Sequence, residues 1–194
     1  MAEKKTNLGG LNTLLGVSGG VAAYKAVDLA SKLTGAGSRV KTVMTENACQ
    51  LIGPKSFEAV TRSAVFTGLW ESPEEHKISH INFADWADII VVAPATANII
   101  GKVANGICDD LLSTTLCTCW QRPVLLAPAM NERMWGNPVV QHNTKKVQEL
   151  GFKLIGPEEG RLACGTEGIG RMSEPQDILK AIEKIASEIK RRKE

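Results

Sequence analysis

Short apolar runs alternate with amphipathic stretches along most of the chain. Residues 11–17 are apolar and short enough for a buried strand, and Ser18-Gly19-Gly20 breaks it. Ala22, Ala26, Leu29, Ala30 and Leu33 then recur at helical spacing, which predicts a helix over 21–33 that Gly35 and Gly37 stop. Residues 39–44 predict a second strand, leading into a polar turn at 45–47. A helix over 55–62 and a short strand over 64–67 follow. Residues 69–77 carry Pro73 and several acids and predict a loop; 78–87 form a short amphipathic stretch. The clearest buried strand is 88–93. Helices are predicted over 95–103 and 110–120, and a strand over 123–127. The helix over 137–150 has Pro138 at its first position and Gly151 after its end. Residues 152–155 suit a final strand, and 157–172 are glycine-rich and irregular. Ile178, Leu179, Ile182, Ile185, Ala186 and Ile189 line one side of a long helix over 175–190.

Such alternation predicts an α/β fold with a doubly wound parallel sheet in a single domain. Ligands of open α/β sheets sit outside the carboxyl ends of the strands. The turns at Ser18-Gly19-Gly20, Met44-Thr45-Glu46, Pro94 to Asn98 and Pro128 to Asn131 should therefore gather round one site.

The 194 residues are enough for one domain with a full core, and 43% apolar with 23% charged residues is ordinary for a soluble globular protein. A net charge of +2, with basic residues grouped at the ends, gives no argument for nucleic acid as a partner. No apolar run reaches the roughly 18 residues that a membrane span needs. Residues 1–10 are polar without a signal core, which predicts a flexible N-terminus ahead of a domain over 11–194 and a cytoplasmic protein. The five cysteines are odd in number and none has CxxC spacing, so no metal site is expected. Cys117 and Cys119 read as small buried residues, and a reducing compartment fits.

The segment from Gly16 to Tyr24 joins a strand to a helix. Its glycines let backbone approach a ligand, and a helix N-terminus favours an anion such as phosphate. It is neither GxGxxG nor a phosphate loop with its lysine. The reading is a phosphate or flavin site, against a tight turn without ligand. Thr96 is either a helix cap or part of that site. Asn131 offers one amide among apolar neighbours. His80 precedes the best strand, whereas His76 and His142 read as surface. Cys164 lies among Gly160, Gly165, Gly168 and Gly170 in a flap over 155–175, as a nucleophile, an acid or a small anchor.

Taken together, these segments resemble the homo-oligomeric flavin-containing cysteine decarboxylases. The residues that carry the resemblance are Gly16 to Lys25, His80 to Asp88, Ala93-Pro94-Ala95-Thr96-Ala97-Asn98, Pro128-Ala129-Met130-Asn131 and Leu162-Ala163-Cys164-Gly165 through Gly170-Arg171-Met172. They span residues 11 to 185. The resemblance implies a flavodoxin-like or Rossmann-like domain that binds FMN and assembles as a trimer or a multiple of trimers. Ser18, Gly19 and Gly20 would lie by the flavin phosphate, with Thr45 on the next turn. Ala95, Thr96, Ala97, Asn98 and Ala129 would line the flavin. His80 would be the base, Asn131 would hold the substrate carboxylate, and Arg161 and Met172 would touch substrate. Cys164 would be the proton donor of the last step.

The implied reaction is decarboxylation of 4'-phospho-N-pantothenoylcysteine to 4'-phosphopantetheine in coenzyme A biosynthesis. Oxidation of the CH2–S group to a thioaldehyde would give the departing CO2 an electron sink, and the resulting enethiol would then be reduced again. Two alternatives stand beside it. One is a lantibiotic-type decarboxylase of a peptide's terminal cysteine, which stops at the enethiol and does not need Cys164. The other is a flavin-binding regulatory subunit. The chain is expected to be either a stand-alone enzyme or the decarboxylase domain of a bifunctional decarboxylase–synthetase.

Overall fold

Six parallel strands form the central sheet of the protein, whose computed structural model describes residues 8–70 and 79–193. In chain order the elements are β1 (Asn12–Val17), α1 (Ala23–Gly35), β2 (Arg39–Met44), α2 (Glu46–Cys49), α3 (Pro54–Thr61), β3 (Val65–Phe66), α4 (Ser79–Trp86), β4 (Ile89–Ala95), α5 (Ala97–Asn105) and α6 (Leu111–Thr118). There follow β5 (Val124–Pro128), α7 (Glu132–Trp135), α8 (Pro138–Glu149), β6 (Lys153–Leu154), β7 (Glu158–Arg161), β8 (Glu167–Arg171) and α9 (Pro175–Lys193). The strand order is β3-β2-β1-β4-β5-β6. The expected doubly wound fold is therefore present. Its direction of winding reverses between β1 and β4, and that crevice is where such sheets bind ligands.

Alternation along the strands divides the core into two layers. Leu15, Val17, Val91 and Ala93 pack with α1, α3 and α9. Leu14, Ile90 and Val92 pack with α5, α6 and α8 on the opposite face. All of β4 is buried, as its uninterrupted apolar run predicts for a central parallel strand. The helices begin and end where the sequence supplies caps. The Thr96 hydroxyl accepts the Ile99 N–H at the start of α5, and Gly106 ends that helix at φ 66°. At α6 the carboxylate of Asp110 accepts the Ser113 N–H (2.8 Å), and the Ser113 hydroxyl accepts the Asp110 N–H (3.2 Å).

The structure departs from the sequence reading in several places. The polar turn at 45–47 is the cap of a one-turn helix, because the Thr45 hydroxyl accepts the Ala48 N–H at 3.3 Å. The stretch read as irregular, 157–172, contains an antiparallel hairpin of β7 and β8. Gly170 there serves close packing: a Cβ would collide with the carbonyl oxygen of Met130. Cys119 is buried as expected, but Cys117 is exposed on α6. The expected loop at 69–77 and the surface position of His76 lie almost wholly outside the described residues. So does most of the stretch 1–10 expected to be flexible; of its described residues, Leu8 is fully buried in the core and the Gly10 N–H donates to the Gly37 carbonyl. His142 is exposed, as read. Among the described residues no helix is long and apolar enough to cross a membrane.

Candidate active site

A cavity of about 1120 Å³ opens at the carboxyl ends of β1, β2, β4 and β5. Typical small-molecule sites occupy about 300–1,000 Å³, so it has room for a cofactor together with a substrate.

One wall is the turn after β1. Ser18 is tied across the crevice to the end of β4: its hydroxyl lies 2.8 Å from the Pro94 carbonyl and 3.0 Å from the Thr96 hydroxyl, and it accepts the Thr96 N–H at 3.0 Å. The serine thus fixes the turn. Among the described residues, the N–H groups of Gly19, Val21 and Ala22 have no hydrogen-bond acceptor. All three residues line the cavity at the N-terminus of α1, a place that favours phosphate. A Cβ at Gly19 would come within 2.5 Å of the Asn47 Cβ, and one at Gly20 within 3.3 Å of the Thr96 methyl. Gly19 is therefore required by the close approach of β1's turn to Asn47, and Gly20 sits tightly against Thr96.

The opposite wall is the strand end after β5. Asn131 caps α7: its Oδ1 accepts the Arg133 N–H at 2.8 Å. That bond settles which way round the amide lies, since only the oxygen can accept. The NH2 group is consequently aimed at the hairpin, where it donates to Cys164 Sγ at 3.2 Å. The thiol also lies 3.1 Å from the Thr166 hydroxyl. These contacts, the Thr166 hydroxyl first, then its backbone N–H and the Asn131 amide, hold the exposed Cys164 thiol below the ordinary cysteine range. The hairpin itself is pinned by a bond from the Met130 N–H to the Gly170 carbonyl, 3.0 Å.

Most of the residues singled out in the sequence meet here. Ser18, Gly19, Gly20, Thr45, Thr96, Asn98, Ala129, Asn131, Arg161, Cys164 and Met172 all line the cavity. Ala95 and Ala97 do not. Ala95 is fully buried, and its carbonyl accepts the Ala129 N–H at 3.0 Å, so it supports the floor from beneath. His80 is not on the wall either: it lies half-buried in the first turn of α4, and its carbonyl accepts the Thr118 hydroxyl at 3.4 Å.

The structure adds charged groups that the sequence reading missed. Lys25, Lys102, Asp109, Asp110 and Arg171 also face the cavity. Lys102 Nζ lies 2.6 Å from a carboxylate oxygen of Asp109 and of Asp110. Burial opposes its charge, but the two carboxylates outweigh burial and raise its pKa above the ordinary lysine value. The signal available in the sequence was spacing: Lys102 follows Asn98 by four residues, one turn on along the same face of α5. Lys25 is engaged by Glu174, and Arg171 by Glu158 and Glu174. Arg161 alone among these cations has no carboxylate partner among the described residues.

A family model described as Flavoprotein matches residues 1–187. The coenzyme A biosynthesis bifunctional protein CoaBC of Bacillus subtilis (strain 168) is 51% identical over 177 residues, which are 91% of this chain and 43% of that protein. The protein of the same name from Escherichia coli (strain K12) is 40% identical over 173 residues, 89% of this chain and 42% of the relative. The chain therefore spans less than half the length of these relatives. Among solved structures, a mutant PPC decarboxylase complexed with pantothenoylaminoethenethiol superposes with a TM-score of 0.80 at 34% identity, covering 90% of this chain and 97% of that one. SpaF, an FMN-dependent cysteine decarboxylase, superposes with a TM-score of 0.80 at 32% identity, covering 93% and 99%.

Proposed function

Because this chain belongs to the Flavoprotein family, matched over residues 1–187, we propose that its cavity binds FMN and decarboxylates 4'-phospho-N-pantothenoylcysteine to 4'-phosphopantetheine, a step of coenzyme A biosynthesis. The observation that carries this reading is the Asn131 amide held against the Cys164 thiol at 3.2 Å, over a cavity floored by a glycine turn with free N–H donors.

The residues present fit a flavin mononucleotide. The N–H donors of Gly19, Val21 and Ala22 suit its phosphate, with the Thr45 turn beside them. Thr96, Asn98 and Ala129 offer a hydroxyl, an amide and a small side chain along the wall between phosphate and substrate. FMN, when bound, supplies the two-electron chemistry that lets CO2 leave a carbon otherwise without an electron sink. The protein's own part is binding, orientation and proton transfer. Asn131, with its Oδ1 occupied, presents N–H donors to a carboxylate. Arg161, without a carboxylate partner among the described residues, offers its guanidinium to an anionic group of the substrate from the flap. Met172, buried at the base of the hairpin, supplies apolar contact. Cys164 delivers the proton that completes the saturated product, and the flap excludes water while it does so. His80 acts as the base. Since it is off the cavity wall of its own chain, we assign it to the cavity of a neighbouring copy within a trimer or a multiple of trimers.

Two measurements test this reading. Purified protein should show flavin absorbance bands, release FMN on denaturation, and liberate CO2 from 4'-phospho-N-pantothenoylcysteine with formation of 4'-phosphopantetheine. Turnover only of a peptide ending in cysteine would overturn the substrate assignment, and a yellow protein that turns over neither would overturn the enzymatic one. Separately, Gly19→Ala should yield a folded but colourless protein. The added methyl must displace Asn47, and with it the turn that presents the phosphate donors. FMN affinity should fall by about tenfold or more in a fluorescence titration, since several charge-assisted hydrogen bonds are misaligned together.

A further inference from the structure

The hairpin that carries Cys164 is fastened to the cavity wall by charged side chains for which the proposed reaction has no other use. Arg171, at the end of β8, donates to Glu158 Oε2 at the start of β7, 3.1 Å away, and lies 3.8 Å from Glu174 Oε1. The same Glu174 oxygen accepts from Lys25 Nζ at 2.8 Å. Lys25 lies on α1 just beyond the glycine turn, its side chain only 14% exposed. The guanidinium lies against Gly160 on β7: a Cβ there would approach Arg171 Nε within 3.3 Å, and that nitrogen is buried without an acceptor among the described residues. Arg171 is thus packed across the base of the hairpin rather than loose on its surface. Half-exposed ion pairs of this kind add little to global stability. What the chain of charges does is join both strands of the hairpin to the helix that carries the anion-binding turn.

We propose that Arg171 and Glu174 are positioning residues for the flap thiol: the Glu158–Arg171–Glu174–Lys25 chain holds the hairpin in the one placement that brings Cys164 to Asn131. This rests on the assignment of Cys164 as the proton donor of the last step. Without the latch the hairpin keeps its own ladder and its bond to Met130 but swings more freely at its base. The thiol then misses the intermediate, while the groups on the fixed walls are undisturbed.

The test uses the full chain with its flavin, and Arg171→Met and Glu174→Gln as variants. Both should release CO2 within about threefold of wild type and bind FMN within about threefold, because neither side chain is assigned a contact with FMN or with the departing carboxylate. Formation of saturated product should fall by about tenfold, with the enethiol released in its place. Amide hydrogen exchange across 158–171 should rise by about tenfold, while β1, β4 and β5 stay protected. Arg171→Lys should recover part of the product ratio, since an ammonium keeps the charge but lacks the planar fork of donors that spans Glu158 and Glu174 from this position. Wild-type product ratio and wild-type exchange in both Arg171→Met and Glu174→Gln would overturn the latch. So would loss of flavin, CO2 release and saturated product together in both. Cys164→Ser is run alongside. If it still forms saturated product, the donor assignment fails and hydrogen exchange alone judges the latch; if it stalls and the latch variants do not, the latch alone fails.

Discussion

His80→Asn should abolish CO2 release, by about a thousandfold or more, while the protein stays yellow. Asparagine is close in size and polarity but cannot accept a proton near neutral pH, so the substitution removes the base and little else. The flavin should be retained because His80 is absent from the cavity wall, where Gly19, Val21, Ala22, Thr96, Asn98 and Ala129 make the contacts assigned to FMN. The same absence gives the prediction a second arm. If the imidazole serves a neighbouring copy, mixed oligomers of His80→Asn and Asn131→Asp subunits should regain activity. A subunit with intact Asn131 can then meet a partner with intact His80. Each variant alone should be inactive. Mixed oligomers that stay inactive would refute the shared site, and full CO2 release by pure His80→Asn would refute the role of the histidine.

The strands and the helices that pack on them were legible because their periodicities are strong. The all-apolar run of β4 and the spacing of Ile178, Leu179, Ile182 and Ile185 on α9 each admit one reading. The two one-turn helices, α2 and α7, were not legible, since four residues are too few for a period to emerge. Only their caps, Thr45 and Asn131, hint at them. The hairpin was missed for a different reason. Glycine density in 157–172 suggests freedom when read alone, whereas Gly170 is there because the Met130 backbone presses against it from the strand end before α7. That is a long-range contact, and no local rule contains it. The site was legible in the same measure. Every polar turn at a strand end reached the cavity, because a doubly wound sheet sends all its carboxyl ends to one edge. Lys25, Lys102 and Arg171 were not anticipated, since whether a helical or hairpin cation faces a cavity or solvent depends on packing.

Cys164→Ser should leave CO2 release intact and change the product. The enethiol should accumulate, and the saturated thiol should fall by about a hundredfold or more, the usual loss when a positioned acid is removed. Serine fits the site: Asn131 and Thr166 can hydrogen-bond to a hydroxyl as they do to the thiol. What changes is acidity. A hydroxyl holds its proton far more tightly than a thiol does. The Cys164 thiol is in addition held below its ordinary value by Thr166, first through its hydroxyl and then its backbone N–H, and by Asn131. The direction of that shift fixes the pH dependence. The acid form is needed for the last proton, so the ratio of saturated product to enethiol should fall as pH rises through the thiol pKa. Because that pKa is lowered, the fall should come at a lower pH than for an ordinary cysteine, whose midpoint is about 8.5. CO2 release, which does not depend on this proton, should not follow the same curve. Product analysis by mass spectrometry across pH, for wild type and Cys164→Ser, separates the two steps. Wild-type yields of saturated thiol from the serine variant would show that the last proton comes from elsewhere. A flat product ratio in the wild type would show that the thiol is present but is not the donor.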